Sequence, residues 1–181
     1  PATLEGCGGD AAPLKRSSCV KLPVPIDGVA YVATTREVWV TAPRDRALLI
    51  LDASKPNSLT VKSTLKLLGE PEGYAVDPVH GIFYTNLEDE DQTLQVDIRS
   101  HTVRATWSAG CGAEGPRGIA LDIPRNFVFV ACTDQVRVLS AADPGAVKRP
   151  LATGPGIDHT DYRRSPHPLF VAAARRPTLL P

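Results

Sequence analysis

From Ile26 onward the chain alternates apolar and polar residues in short runs, separated by turns dense in Pro, Gly, Asp and Asn. Period-two alternation gives each run one apolar side and one polar side, which is the habit of a β-strand. An amphipathic helix needs apolar residues at i, i+3 and i+4, and no run keeps that spacing. Four segments align almost without gaps: IDGVAYVATTREVWVTA (26–42), PEGYAVDPVHGIFYTN (71–86), PRGIALDIPRNFVFVAC (116–132) and IDHTDYRRSPHPLFVAA (157–173). Each holds an apolar run, a polar turn and a second run rich in β-branched and aromatic residues, the signal of a hairpin. Anchored on Gly28, Gly73, Gly118 and His159, the spacings are 45, 45 and 41 residues.

Two more strand-like runs follow each of the first three hairpins. The third strands are ALLILD (47–52), TLQVDI (93–98) and QVRVLS (135–140). The fourth are TVKSTLKLL (60–68), TVRATWSAG (102–110) and AVKRPLATG (146–154). Four strands per repeat of about 40–45 residues predict an all-β fold, a β-propeller of four-stranded blades. The repeat sets full blades at 26–70, 71–115 and 116–156, after a Gly/Pro-rich leader at 1–17. Residues 18–25 read as a fourth strand with no first three before it, and residues 157–181 as three strands with no fourth. Joining them predicts one composite blade, with residues 19–24 pairing near 177–180. Pro23, Pro25 and Pro150 fall in the fourth strands, where an outer edge tolerates a missing N–H. The four blades fit a closed four-blade ring, half of a larger ring, or a fragment of a larger propeller.

IFYTN (82–86), preceded by PEGYAVD and followed by QTLQVDIRSHTVRATWSAG, resembles the YVTN-type β-propeller repeat. VWVTA, VFVAC and LFVAA are looser echoes, and PRGIALD is a second good match. The resemblance spans roughly residues 20–181 and implies architecture first. The wider group includes bacterial surface and periplasmic proteins, with relatives such as virginiamycin B lyase, so it implies either a binding scaffold or an enzyme.

Composition narrows the function classes. Over 181 residues, 43% are hydrophobic and 22% charged, a globular balance. Twenty basic and twenty acidic side chains cancel, so no global charge draws the chain to nucleic acid or an anionic membrane. No apolar run nears the roughly 18 residues of a membrane-spanning helix. The start at Pro1 reads as a processed or trimmed chain. Four cysteines, at positions 7, 19, 111 and 132, carry no CxxC spacing, and the four histidines keep no metal-ligand spacing. An even count fits two disulfides, Cys7–Cys19 and Cys111–Cys132, and a periplasmic or extracellular location. Cys111 precedes a first strand and Cys132 ends the adjacent second strand, so both stand at one end of a blade.

The candidate chemistry lies on the first strands and the loops leading into them. One parity of those strands is small in the first three repeats, at Gly28/Ala30, Gly73/Ala75 and Gly118/Ala120, and becomes His159/Asp161 in the fourth. His159 with Asp161 is the candidate catalytic pair of a lyase or hydrolase at the channel mouth, its basicity raised by Asp161 or Asp158. The structural alternative is that the pair hydrogen-bonds to neighbouring blades, facing the channel or a blade interface rather than solvent. No nucleophile accompanies it, so a triad is not supported. Asp27, Glu72, Arg117 and Asp158 fall at equivalent positions, one per blade, and with His159 form the candidate ligand-binding ring. Such a ring suits a polar ligand, or equally a set of mutually paired surface charges. No cofactor or metal is required; bound Ca²⁺ stays open because gluconolactonase-like propellers use oxygen ligands near their axis. The acidic run LEDEDQ (87–92) reads as a solvated hairpin tip, and Arg44, Arg46, Arg175 and Arg176 take the same place elsewhere. Opposed charge on one face suits a protein partner, a small ligand or a homo-oligomer contact, and not nucleic acid, which would want interleaved aromatics. The leading function is an exported binding scaffold; the alternatives are the enzyme and a structural subunit of a larger assembly.

Overall fold

The structure is a computed structural model, described here for residues 5–10, 15–55, 58–143, 146–166, 168–173 and 178–180. It divides into two compact units, Pro1–Pro71 and Glu72–Pro181. Among the described residues the regular elements are strands, broken only by short 3-10 turns.

The first unit holds a hairpin, β1 (Glu5–Asp10) and β2 (Lys15–Lys21), and one four-stranded antiparallel sheet. That sheet runs β3 (Val29–Val32), β4 (Glu37–Ala42), β5 (Ala47–Lys55) and β6 (Ser58–Lys66) in sequence order. Leu22, Val20, Val24 and Ile26 pack on its Val40, Leu49 and Leu51 side chains, so the segment after β2 covers one face of the sheet. Residues 18–21 of the segment expected to complete a composite blade belong to a hairpin strand within this unit. Lys15–Lys21 pairs with Glu5–Asp10, Cys7 standing directly across from Cys19. Strands adjacent in sequence pair at a far lower loop-closure cost than strands at opposite ends of a chain.

The second unit holds three consecutive sheets. The first is β7 (Pro71–Asp77), β8 (Ile82–Leu87), β9 (Gln92–Asp97) and β10 (Thr102–Ser108). The next is β11 (Ile119–Asp122), β12 (Phe127–Ala131), β13 (Gln135–Ser140) and β14 (Val147–Ala152). The last, β15 (Ile157–Tyr162), β16 (Leu169–Ala173) and β17 (Thr178–Leu180), has three strands. Each is an antiparallel meander, the build of a propeller blade. Pro150 lies on the edge strand β14, opposite Arg137, where its missing N–H interrupts no outer ladder.

Apolar side chains alternate between two seams. Ile82, Tyr84 and Trp107 of the second sheet meet Ile119, Val128, Val130 and Leu139 of the third. The opposite parity of the third sheet, Ala120, Phe129, Val136 and Val138, meets Ile157, Leu169, Val171 and Ala173 of the fourth. At the inner edge the strands approach through glycine. A Cβ on Gly118 would sit 2.7 Å from the Asp158 carbonyl oxygen and 2.9 Å from the His159 Cα. One on Gly73 would sit 2.8 Å from the Gly118 Cα. Real Cβ atoms do not come this close to backbone, so the small parity of the repeat records blade-to-blade contact.

Candidate functional site

The loops at one end of the second unit's sheets converge on Arg117, the residue before Gly118. Its guanidinium lies 2.8 Å from the Glu88 carboxylate, at the β8–β9 turn, and 3.8 Å from that of Asp158 at the start of β15. Asp158 in turn lies 3.5 Å from His159 Nδ1. One line of charges therefore crosses three sheets. Arg117 and Glu88 are each about one-third exposed, and Asp158 and His159 largely so.

The scaffold beneath this line is tightly built. Cys111 and Cys132 form a disulfide with a Cα–Cα distance of 5.2 Å, tying the loop before β11 to the end of β12. The Asp91 carboxylate accepts the Cys111 N–H at 2.8 Å and the Gly112 N–H at 3.2 Å, clasping the same loop from the neighbouring sheet. Gly115 has φ +65° and passes so close to the Glu88 backbone that any side chain there would collide with it. Below, Asn86 Nδ2 donates to the Arg117 carbonyl at 2.6 Å, and Thr93 Oγ1 donates to Asn86 Oδ1 at 2.8 Å. Thr85 Oγ1 donates to the Gly73 carbonyl at 3.0 Å. Thr85, Asn86 and Thr93 are buried, so these bonds are made away from competing water. In the first unit Thr41, at the position matching Asn86, ties to its own first strand by accepting the Gly28 N–H on Oγ1 at 2.7 Å.

Of the expected ring, the structure brings Arg117, Asp158 and His159 together. Asp27, in the first unit, is exposed and its backbone N–H donates to the Thr41 carbonyl; Glu72 is half-buried on β7. Two expectations are corrected. His159, with its side chain 83% exposed, and Asp161, also exposed, face solvent rather than the channel or a blade seam. In the second unit the small parity of each first strand meets the next sheet, and among the described residues no sheet follows the fourth there, so the equivalent positions stay open. The acidic run is not merely a solvated tip. Its first acidic member holds Arg117 and its last, Asp91, clasps the disulfide loop. Glu88 and Asn86 were missed as partners because their contacts join residues about thirty apart in sequence. The one local signal was the pair Thr85-Asn86, polar residues ending an apolar strand.

At the opposite ends of the strands, Tyr162 OH donates to Asp122 Oδ2 at 2.7 Å and Arg125 Nη1 donates to the same oxygen at 2.8 Å. Burial works against ionisation of Asp122. The hydrogen bonds from Arg125 and Tyr162, with the guanidinium charge, outweigh it and hold the carboxyl below the usual aspartate range. Asp77 is the same element one blade earlier, its Oδ2 2.6 Å from His80 Nδ1.

Cys19 is disulfide-bonded and no described cysteine is free; the Cys7 side chain and Arg175 and Arg176 lie outside the described residues. Among the described residues no three His, Cys, Asp or Glu side chains converge as a metal site, and no helix is long and apolar enough to cross a membrane.

No protein-family model and no curated protein sequence matches the chain. Solved structures do. Hydrazine synthase from Kuenenia stuttgartiensis superposes with a TM-score of 0.73 at 15% identity, over 88% of this chain and 46% of that one. Sqt1 from Saccharomyces cerevisiae superposes with a TM-score of 0.72 at 11% identity, over 88% of this chain and 47% of that one. The fold is a β-propeller. The chain spans a little under half the length of these propeller structures, and identities this low speak for fold alone.

Proposed function

We propose that the chain is an exported propeller scaffold that binds a basic protein segment on the loop face of its second unit. The observation carrying this reading is Arg117, fastened between Glu88 and Asp158 across three sheets and ringed by further carboxylates. Asp89, Glu90, Glu114 and Asp134 stand exposed on loops at that same end, so among the described residues these loops are rich in carboxylates although the whole chain is neutral. A charged surface on a disulfide-tied scaffold steers an oppositely charged partner and loses little entropy when it docks. The Cys111–Cys132 disulfide supports a periplasmic or extracellular setting, since such bonds persist where the medium is oxidising. The IFYTN strand, with its buried Thr85 and Asn86 bonds, supports the YVTN-type repeat.

Fluorescence anisotropy with a lysine-rich peptide, set against a glutamate-rich peptide of equal length, tests the reading. The basic peptide should bind with marked salt dependence. Replacing Glu90 and Asp134 together by lysine should weaken it about tenfold, roughly 1.4 kcal/mol, at unchanged melting temperature. Equal binding of both peptides, or indifference to the double substitution, refutes it.

A further inference from the structure

The last sheet of the second unit has two unlike faces. Ile157, Leu169, Val171 and Ala173 are buried against the third sheet. On the other face His159, Asp161, Phe170 and Ala172 are exposed, Phe170 at 38% with the Arg163 guanidinium 5.9 Å from its ring centre. In the second sheet the matching strand β8 is buried at every position, on both faces. In the first unit Trp39, which matches Phe170 in the repeat register, is fully buried. Within the second unit no described sheet covers this face of the fourth sheet.

A further blade of the same repeat is a poor occupant. At Gly73 and Gly118 the next strand comes too close for a Cβ. His159 takes that position here and projects an imidazole into the space a following strand would need. Whatever covers this face must stand farther off and tolerate a histidine, a carboxylate and a phenyl ring.

We propose that the occupant is a second copy of this chain, docked face to face about a two-fold axis that passes over Thr160. Such an axis runs β15 antiparallel to its copy, so each His159 lies across from Asp161 of the other protomer and the Phe170 rings meet nearby. The two-residue alternation makes the face complementary to itself, the requirement of an isologous contact. A histidine donates to a carboxylate from either ring nitrogen, so the pairing does not depend on full protonation. The other charges around His159 are Asp158 at 3.5 Å and, beyond it, Arg117, itself held by Glu88; these are fixed within the protomer. This assignment is independent of the carboxylate-rich loops.

Sedimentation velocity on the whole chain across a concentration series reads the dimer directly. Phe170→Glu, a change at an exposed site, should weaken association about tenfold or more while circular dichroism stays that of the parent. His159→Asp and Asp161→His each set like groups across the axis and should weaken association. The exchanged variant carrying both changes again sets a carboxylate across from an imidazole, with the two positions swapped, and should recover it. A parent chain that remains monomeric throughout overturns the assignment and leaves the face to an unlike partner. So does a dimer indifferent to Phe170→Glu, or an exchanged variant no better than the two single ones.

Discussion

Gly118 and His159 hold the same position in consecutive repeats, and their surroundings are opposite. Gly118 is buried with the backbone of Asp158 and His159 pressed against its Cα; His159 looks out from a side chain 83% exposed. The same contrast runs through the strands beside them. β12 is buried along almost its whole length, whereas β16 alternates buried and exposed. What separates them is the neighbour, not the sheet: both are antiparallel meanders with the same first-strand register. A repeat position is small where another blade presses on it and unconstrained where none does, so residue size along the first strands reports which faces are covered.

The largest expected effect tests that contrast at its centre. Gly118→Val should destabilise by about 3 kcal/mol or prevent folding, because no rotamer moves Cβ off the β15 backbone. His159→Val should stay within roughly 0.5 kcal/mol, as expected of an exposed site. Chemical denaturation of both variants is sufficient, and equal losses would mean that glycine at the seam is incidental.

A middle-sized effect sharpens the comparison of seam with surface. Asn86→Ala removes a buried donor and acceptor, leaving the Arg117 carbonyl and the Thr93 hydroxyl without their partner. A loss of about 2 kcal/mol is expected by thermal or urea denaturation. Glu88→Gln weakens only a partly exposed ion pair and should cost well under about 1 kcal/mol.

The smallest effect concerns the far end of the seam between the third and fourth sheets. A folded-state pKa held below its unfolded value gives stability that is full above the ordinary aspartate range, around pH 4, and lost as pH falls through the folded value. Asp122 is such a group, and so is Asp97, whose carboxylate accepts the backbone N–H groups of Ser100 and Arg99. The melting temperature should therefore fall on acidification below about pH 4. Tyr162→Phe should cost about 1 kcal/mol at neutral pH and shrink the acid-linked fall, because one of the bonds favouring the Asp122 carboxylate is gone. Parallel melting curves for parent and variant across the acid range would remove Tyr162 from the account.

The sequence by itself determined the strands, their order within each blade and the blade repeat, because period-two alternation and turn chemistry are local and recur. It made the Cys111–Cys132 bridge a reasonable expectation, since adjacent antiparallel strands bring the approach to the first and the end of the second to one end of a blade, and the structure forms it. It marked His159 as the odd member of a small series, but not what the departure meant. Whether that face is covered depends on which sheet follows, a contact between segments that no local pattern encodes. The fate of residues 15–26 was likewise decided in three dimensions. SCVKLPVP has the look of a fourth strand, but β2 closes a hairpin with β1 and the segment after it lies over Val40, Leu49 and Leu51. Edge-strand propensity says that a segment can pair, and loop-closure cost and apolar burial choose the partner. The Glu88–Arg117–Asp158 line is of the same kind. Each charge was legible as a loop residue, and only the close approach of three sheets through Gly73, Gly115 and Gly118 set them side by side.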